Sequence, residues 1–374
     1  MKEKYCKIPK FRFNKFLESW ERLKYEDVIE VNSGKDYKHL DKGDIPVYGT
    51  GGYMLSVSEA ITDKDGVGIG RKGTINKPYI LKAPYWTVDT LFFCIPKNKY
   101  NLYFINAIFE RTQWERFDES TGVPSLSKLT INNIQNYFPS FNEQSAIGSL
   151  FRTLDDLLAS YKDNLANYQS LKATMLSKMF PKAGQTVPEI RLDGFEGGWE
   201  EKEFSKLVKR VTQSSDSNSL PKVEFEDIIS GQGRLNKDIS NKFDNRKGIH
   251  FEPGYTLYGK LRPYLNNWLL PKFEGVALGD FWVFDPNGNN SDFIYYLVQS
   301  SRFQKVANDT SGTKMPRSDW KSVSTTIFAI PQTIAEQQAI GAYFSNLDNL
   351  INSHQEKISQ LETLKKKLLQ DMFI

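Results

Sequence analysis

The chain contains nearly the same hexapeptide twice, as EQSAIG at residues 143–148 and as EQQAIG at residues 336–341. The copies lie 193 residues apart (336 − 143), and a shift of the chain by this offset aligns the apolar residues that follow them. The aligned residues are Ile147, Phe151, Leu154, Leu158, Leu165, Tyr168, Met175 and Met179 with Ile340, Phe344, Leu347, Ile351, Ile358, Leu361, Leu368 and Met372. The repeat therefore covers a whole segment of the chain, not one short motif.

The aligned apolar residues recur in alternating steps of four and three, which is the heptad spacing of a helix that packs lengthwise on another helix. The seam from Ile147 to Met179 corresponds to a helix of about 48 Å at 1.5 Å per residue. Both copies break the seam at the same place, with Lys172 and Lys365, unless the leucine one residue earlier replaces the lysine. Packing of one helix on the other would bring Tyr161 and His354 together near the midpoint. Ordinary surface helices of two globular domains are the alternative.

The start of each helix carries a capping signature. Ser140 and Glu143, like Thr333 and Glu336, fit the S/T-x-x-E capping box, with a proline just upstream. The hexapeptide is therefore interpreted as a helix start and not as a catalytic loop.

A weaker repeat lies upstream at an offset of 179 (188 − 9), where the residues from Pro9 to Glu21 match those from Pro188 to Glu200. These repeats divide the chain into segments that alternate between a body and a long helix. They are a leading segment with a first body (1–142), a helix (143–180), a Pro/Gly-containing linker (181–198), a second body (199–335) and a second helix (336–374).

Both bodies are rich in β-branched and aromatic runs punctuated by glycine, which predicts strands joined by tight turns. Each half also contains its long helix, so the predicted fold class is α+β. The two bodies share little sequence beyond their edges. Two similar helices that carry two dissimilar, mostly β bodies indicate a fixed frame that holds variable recognition domains.

In the first body, GRKGT at 70–74 predicts a β-turn with two cations at its tip. The guanidinium of Arg71 can fork onto a guanine edge, and Lys72 can meet a phosphate, with Thr74 beside them. YGTGGY at 48–53 predicts a flexible loop with aromatic flanks, which includes Tyr48 and Gly51. Such a loop is more often structural than functional. A solvated hairpin tip without a binding role is the equal alternative for the basic turn.

In the second body, basic residues interleave with aromatic ones, a pattern that suits nucleic acid. Lys260 and Arg262 flank a leucine just before Pro263, and Tyr264 and Trp268 follow. Further along, SGTKMPRSDW at 311–320 brings Lys314 and Arg317 into a polar turn.

Motifs of catalysis are missing from the sequence. It contains no GxxxxGK[ST] loop, no [DNS]PP[YF] element, no HExxH and no GxSxG. Two cysteines and three scattered histidines predict neither a disulfide framework nor a metal site, and indicate reduced thiols in a cytoplasmic protein. No apolar run reaches the length of a membrane span. The net charge of +4 is already supplied by residues 1–19, so DNA binding would depend on local patches.

The whole layout resembles the specificity subunit of type I restriction–modification systems. The resemblance is carried by the two EQxAIG helices and by two series of motifs in order. These series are GTGG, IGRKGTI, WTVDT and TGVPSLSK in the first body, and YGKLRPYL, FEGVALGDF and SGTKMPR in the second.

The resemblance implies two target recognition domains, each reading one half of a bipartite site in double-stranded DNA, and an antiparallel coiled coil that acts as a ruler. It implies a non-catalytic chain that assembles with two methyltransferase subunits and two motor-nuclease subunits. Those partners would bring S-adenosylmethionine, and ATP with Mg, while this chain would hold no cofactor. Two different bodies imply an asymmetric target. A coiled coil of about 48 Å spans about 14 base pairs, which puts the half-sites about one helical turn apart.

Resemblance and chemistry together predict contacts to DNA in both bodies, with Arg71 and Arg317 as base readers. The predicted contacts are Tyr48, Gly51, Arg71, Lys72, Thr74, Lys260, Arg262, Tyr264, Lys314 and Arg317. Gln144 and Gln337 are predicted to touch a methyltransferase. A coiled-coil adaptor that does not bind DNA is the alternative function, although an adaptor would not need the basic turns. A nuclease or a methyltransferase is opposed by the missing motifs.

Overall fold

The computed structural model describes residues 8–240, 242, 244–309 and 315–374. The chain divides into two units. The first consists of Met1–Lys162 with Glu356–Ile374, and the second of Asp163–Gln355. Each unit thus contains one body together with a part of each long helix.

The two long helices each contain 38 residues, which corresponds to a length of about 57 Å. They begin two residues before their hexapeptides, as Phe141–Lys178 and Ile334–Asp371. The helices in chain order are α1 (Tyr25–Val28), α2 (Leu102–Arg111), α3 (Lys128–Asn133), α4 (Phe141–Lys178), α5 (Phe204–Leu207), α6 (Ser291–Leu297), α7 (Ser301–Ala307), α8 (Trp320–Thr325) and α9 (Ile334–Asp371). Short 3-10 helices span Trp114–Phe117, Phe225–Asp227 and Pro263–Leu265.

The long helices pack against each other in antiparallel orientation within each unit. In the first unit, Phe373 beyond the end of α9 lies 5.9 Å, ring centre to ring centre, from Phe151 near the start of α4. In the second unit, Phe180 beyond the end of α4 stacks on Phe344 near the start of α9 at 6.0 Å. The antiparallel helix pair of the predicted fold is therefore confirmed. Near the midpoint of the helix pair, the Tyr168 ring packs on His354 at 5.1 Å between ring centres.

The matched lysines of the heptad seam are largely buried ion-pair centres. The ammonium of Lys172 lies 2.6 Å from Asp348, and that of Lys365 lies 2.5 Å from Asp155 and 2.6 Å from Glu110. The leucines one residue earlier do not replace them, because Leu171 and Leu364 are 41% and 45% exposed. Each lysine pairs with an aspartate of the opposite helix, so the pairs fix the register in which the helices meet.

The glutamate of each hexapeptide is buried and paired with an arginine of the segment that precedes each body. Arg12 donates two hydrogen bonds of 2.7 Å to the Glu143 carboxylate, and Arg191 donates two of 2.7 and 2.8 Å to Glu336. The Thr333 hydroxyl accepts a hydrogen bond from the Glu336 amide, so the cap half of the predicted capping box is present at the start of α9. The other predicted hydrogen bond, from the cap residue's amide to the glutamate carboxylate, is wrong, because both carboxylates bind the arginines instead.

The glutamine of each hexapeptide binds the helix that packs on the start of α4 or α9. The side-chain oxygen of Gln144 accepts from the Asn101 amide at 3.1 Å, and that of Gln337 accepts from the Asn290 amide at 2.9 Å. Both amide NH₂ groups donate to carbonyls within the chain, and both side chains are 2% exposed. Their predicted contact with a methyltransferase is not supported, since burial leaves them almost no surface for a partner.

The hexapeptide glycines allow this close packing. A Cβ atom at Gly148 would lie 2.4 Å from the Asn101 side-chain oxygen, and one at Gly341 would lie 2.8 Å from the Asp292 side chain. Arginine, glutamate, glutamine and glycine thus join each body to its long helix, and we call this set of contacts the helix clamp.

The body of the first unit is built on three small sheets. Its strands are β1 (Glu21–Lys24), β2 (Ile29–Ser33), β3 (Lys42–Gly49), β4 (Gly52–Val57), β5 (Gly66–Gly70), β6 (Tyr79–Leu81), β7 (Trp86–Thr87), β8 (Leu91–Pro96) and β9 (Gln135–Phe138). The sheet orders are β2-β8-β5-β6, β4-β3-β7 and β1-β9, with antiparallel pairs except β3 and β7. The buried strand β5 packs its valine and isoleucine in a core with α2 and the start of α4.

The body of the second unit repeats the β2-β8-β5-β6 sheet and adds others. Its strands are β10 (Glu200–Glu203), β11 (Lys209–Val211), β12 (Ser214–Ser215), β13 (Lys222–Val223), β14 (Ile228–Ile229), β15 (Arg234–Leu235), β16 (Gly248–Phe251), β17 (Thr256–Gly259), β18 (Trp268–Leu269), β19 (Gly275–Ala277), β20 (Phe281–Asp285) and β21 (Ile327–Ile330). The sheet orders are β11-β20-β17-β18, β12-β16-β19-β13, β14-β15 and β10-β21. The first of these corresponds to β2-β8-β5-β6, and the ribbon β10-β21 corresponds to β1-β9.

Candidate nucleic-acid interface

The basic turn of the first unit follows the buried strand β5 and is fixed by backbone hydrogen bonds. The Arg71 amide donates to the Thr90 carbonyl at 2.8 Å, and the Leu126 amide donates to the Arg71 carbonyl at 2.9 Å. The Gly73 amide donates to Pro124, and Lys72 forms a β-bridge with Ser125. The turn is therefore held between two other segments, and is not a free hairpin tip.

The side chains of this turn face outward. Arg71 and Lys72 are exposed, and Thr74 is half-buried. The Arg71 guanidinium lies over the Phe92 ring, 5.8 Å from its centre, and donates a long hydrogen bond of 3.4 Å to the Asp89 carbonyl. Gly73 has a φ of +86°, a left-handed conformation that glycine adopts without strain. The turn presents two cations on a fixed backbone.

The hairpin that joins β3 to β4 lies beside the basic turn. The Val88 amide donates to the Tyr48 carbonyl. Two residues later, the Thr90 carbonyl accepts the hydrogen bond from the Arg71 amide of the basic turn. Tyr48 is half-buried in a cluster with Tyr53, Tyr79 and Tyr85, at 6.1–6.5 Å between ring centres. Tyr53 is 63% exposed, and Gly51 at the tip has open space around it. Tyr53 is not among the contacts predicted from the sequence, although it is the second tyrosine of YGTGGY.

Replacement of Gly70 by alanine is expected to lower the free energy of unfolding by about 1–3 kcal/mol, as overpacking does. A Cβ atom there would lie 2.0 Å from the Thr74 carbonyl oxygen, so the turn would have to move. Gly51→Ala is the matched control, because nothing lies within 4 Å of its Cβ position. We expect the control to stay within about 0.5 kcal/mol of the unaltered chain in urea denaturation. Equal stability of the two variants would contradict the close packing of the turn.

The second unit holds its basic turn by the same backbone hydrogen bonds. The Lys260 amide donates to the backbone carbonyl of Asp280 at 2.9 Å, and the Ser318 amide donates to the Lys260 carbonyl at 2.8 Å. The Arg262 amide donates to Pro316 at 2.7 Å, and Leu261 forms a β-bridge with Arg317. Gly70 and Gly259 thus end equivalent strands, and Gly73 and Arg262 occupy equivalent left-handed positions. The bodies share this scaffold in spite of their dissimilar sequences.

Different side chains stand on the shared scaffold in the second unit. The Asp280 carboxylate lies 2.8 Å from the Arg317 guanidinium and 3.6 Å from the Lys260 ammonium. Arg262, at a φ of +49°, is exposed, and within the described part of the chain its side chain forms no hydrogen bond or ion pair. Tyr264 is 57% exposed beside it. The predicted Lys314 lies outside the described residues.

The turns of both units therefore place exposed cations beside an exposed aromatic ring on a rigid backbone. Such a surface can donate hydrogen bonds to phosphates and to base edges. Across the described ranges, no group of three or more His, Cys, Asp or Glu side chains could hold a metal ion. No helix there is long and apolar enough to cross a bilayer.

Comparison with known protein families agrees with this arrangement. The family model of the type I restriction modification DNA specificity domain matches residues 17–167 and 222–363, which is more than half of the chain. The chain belongs to this family. The two matched segments correspond to the two repeats, so the specificity domain of this family occurs twice in the chain.

Individual relatives are distant. The chain is 21% identical over 276 residues to the "Type I restriction enzyme MjaVIII specificity subunit" of Methanocaldococcus jannaschii, a match that covers 67% of this chain and 64% of that protein. The crystal structure of the S subunit of a type I restriction-modification system from M. genitalium aligns with a TM-score of 0.69 and 14% identity. That alignment covers 98% of this chain and 99% of the other.

A second solved structure shows the same fold at lower similarity. Its description concerns complex assembly and conformational transition of the type I R-M system. It aligns with a TM-score of 0.51 and 13% identity, over 96% of this chain and 98% of the other.

Proposed function

We propose that this chain is a DNA-recognition subunit in which each body reads one half of an asymmetric bipartite duplex site. The observation that carries the proposal is the shared scaffold of the two basic turns. Equivalent backbone hydrogen bonds hold Arg71 and Gly73 in one unit and Lys260 and Arg262 in the other. One backbone frame with different donors is what two readers of different base sequences require. A DNA-free adaptor would leave both turns without a role.

Methylation and cleavage belong to partner chains in this proposal. Two methyltransferase subunits would bring S-adenosylmethionine, and two motor-nuclease subunits would bring ATP and Mg. The helix pair would set the spacer between the half-sites and would receive the methyltransferases.

Exposed leucines on the long helices support the docking of the methyltransferases there. Leu157 and Leu171 lie two heptads apart on α4, and Leu350 and Leu364 occupy the equivalent positions of α9. All four are 41–45% exposed, and each lies one residue before a seam position. Partner helices could therefore cover these leucines without disturbing the seam.

The double variant Leu157→Glu/Leu171→Glu is expected to weaken methyltransferase binding about 100-fold, because each buried leucine contributes about 1.5–3 kcal/mol. Binding is measured by sedimentation of the chain with methyltransferase subunits, and helix content by circular dichroism. The control is Ser160→Glu/Thr174→Glu, which adds the same charge at exposed positions outside the seam and outside this leucine row. Equal binding by both double variants would rule out the leucine row as a docking surface.

The proposed function is tested by reconstitution. The purified chain is mixed with methyltransferase subunits and S-adenosylmethionine, and methylation of random-sequence DNA is mapped. We expect one bipartite, asymmetric motif to be modified only when the chain is present. Methylation that is absent, or that shows no bipartite motif, would refute the proposal.

A further inference from the structure

A cleft in the first unit lies apart from the basic turn. It has a volume of about 760 Å³ and lies between the β1-β9 ribbon, the end of α2 and the end of α9. Four cationic side chains line it, and they are Arg22, Arg111, Arg116 and Lys366. Amides and hydroxyls of Thr112, Gln113 and Asn136 stand between them. The cleft therefore offers many hydrogen-bond donors around a concentration of positive charge.

The four cations form no ion pair within the part of the chain that the structure describes. Glu110 also lines the cleft, but its carboxylate forms an ion pair with the Lys365 ammonium at 2.6 Å. Arg111 is half-buried, and its desolvation lowers the pKa of its guanidinium. A half-buried cation near other cations costs free energy unless an anion joins them. The cleft is thus matched to an anionic ligand.

The wall of the cleft is rigid. The buried Tyr25 hydroxyl hydrogen-bonds to Thr112 at 3.2 Å and accepts from Asn136 at 3.4 Å, and both of these residues line the cleft. These hydrogen bonds hold Thr112 and Asn136 in place before any ligand arrives, which lowers the entropy cost of ordering this wall on binding.

The second unit does not repeat this charge. Arg22 is the second residue of β1, and the second residue of β10 is Glu201. Lys366 follows the largely buried Lys365, whereas Ala173 follows Lys172. Nearby in the second unit, Lys182 is paired with Glu189, and Arg302 donates to the Ile327 carbonyl. A partner present in two equivalent copies would need equivalent surfaces, so the difference favours a single anionic ligand.

The cleft is connected to the basic turn through hydrogen bonds of one chain segment. The Asn76 side chain, just beyond the turn, donates to Glu115 at 2.5 Å, and Arg116 is the next residue. The Asp118 carboxylate accepts from the Ser125 amide at 2.9 Å, and Ser125 forms the bridge with Lys72. One chain segment of the first unit therefore connects the basic turn to the cleft.

We infer that this cleft binds the phosphate backbone of duplex DNA on the outer flank of the half-site that the first body reads. The inference rests on the proposed function and adds a contact that carries no base information. Guanidinium groups and an ammonium group bind phosphate oxygens by charge-assisted hydrogen bonds. The chain thus makes additional phosphate contacts on the side of the first half-site only.

The test uses the triple variant Arg22→Ala/Arg116→Ala/Lys366→Ala in the full chain with its methyltransferase subunits. Two duplexes carry the same target. One extends about two helical turns beyond the first half-site, and the other ends at that half-site. We expect the slope of log Kd against log salt to fall by about 2–3 on the extended duplex, since each phosphate contact contributes about 0.9. On the short duplex the slope is unchanged.

The control is Lys206→Ala/Lys272→Ala/Lys321→Ala, which removes three exposed cations of the second unit and the same net charge. An unchanged slope on the extended duplex, or an equal loss on both duplexes, would overturn the inference. Loss of methyltransferase subunits from the complex would show that the cleft binds protein and would overturn it too. Failure of the proposed function itself would appear with the unaltered chain, as methylation without a bipartite motif.

Discussion

Glu336→Ala is expected to lower the free energy of unfolding by about 3–5 kcal/mol, because it leaves a largely buried guanidinium without its counter-charge. The carboxylate of Glu336 accepts two hydrogen bonds from Arg191 and one of 3.1 Å from the Trp199 indole. The Glu336 side chain is 4% exposed, and that of Arg191 is 16% exposed, so water can do little to replace the lost carboxylate.

Urea denaturation followed by circular dichroism measures this effect. The control is Glu356→Ala, an exposed glutamate of the same helix, for which a change within about 0.5 kcal/mol is expected. The double variant Arg191→Met/Glu336→Leu removes both charges and should recover most of the loss. A Glu336→Ala variant as stable as the control would mean that the helix clamp contributes little to the stability of the second unit.

Arg71→Ala is expected to reduce methylation at targets with the correct first half-site by about 10–100-fold. A bidentate contact to a base is worth about 1–3 kcal/mol of discrimination, and the base pair it reads would become variable. Selection at the second half-site should be unaffected, because the second unit holds its own turn by its own hydrogen bonds. Sequencing of methylated random DNA measures both half-sites in one experiment.

The converse variant is Arg262→Ala, which should relax only the second half-site. Arg317→Ala is the second test there, since its guanidinium is held by Asp280 and was predicted to read a base. Lys77→Ala, which removes an exposed cation six residues after Arg71, is the control and should leave the motif intact. Equal loss at both half-sites in any single variant would argue against separate readers.

The helix pair could be predicted from the sequence because its signal is periodic. The heptad seam and its matched lysines depend on residues three and four apart, and such spacing is visible without a structure. The lysine partners could not be predicted in the same way. Lys365 meets Glu110, which lies 255 residues earlier (365 − 110), and no local pattern connects the two.

The helix clamp shows why part of the hexapeptide was misinterpreted. Glu336 fits a local capping box, and the local rule assigned its carboxylate to the helix start. The observed partner, Arg191, lies 145 residues away in sequence and carries a charge that a backbone amide lacks. The tertiary ion pair outweighs the local hydrogen bond.

The candidate site was predicted at the level of its turns. Glycine beside Arg71 and proline beside Arg262 marked the tight turns, because these residues have restricted or unusual backbone preferences. The shared scaffold was missed, since it consists of backbone hydrogen bonds that leave no trace in side-chain identity. The pairing of Arg317 with Asp280 was missed for the same reason as that of Lys365, namely distance along the chain.

The two lysine–aspartate pairs restrict how the long helices can change in length. Asp155 and Lys172 are 17 residues apart on α4, and so are Asp348 and Lys365 on α9. An insertion between them in one helix alone would pull one lysine away from its aspartate. Seven residues added to both helices would keep both pairs and return every seam residue to its face. The coiled coil can therefore lengthen only in steps of seven residues, and each step requires two matching insertions in the same gene.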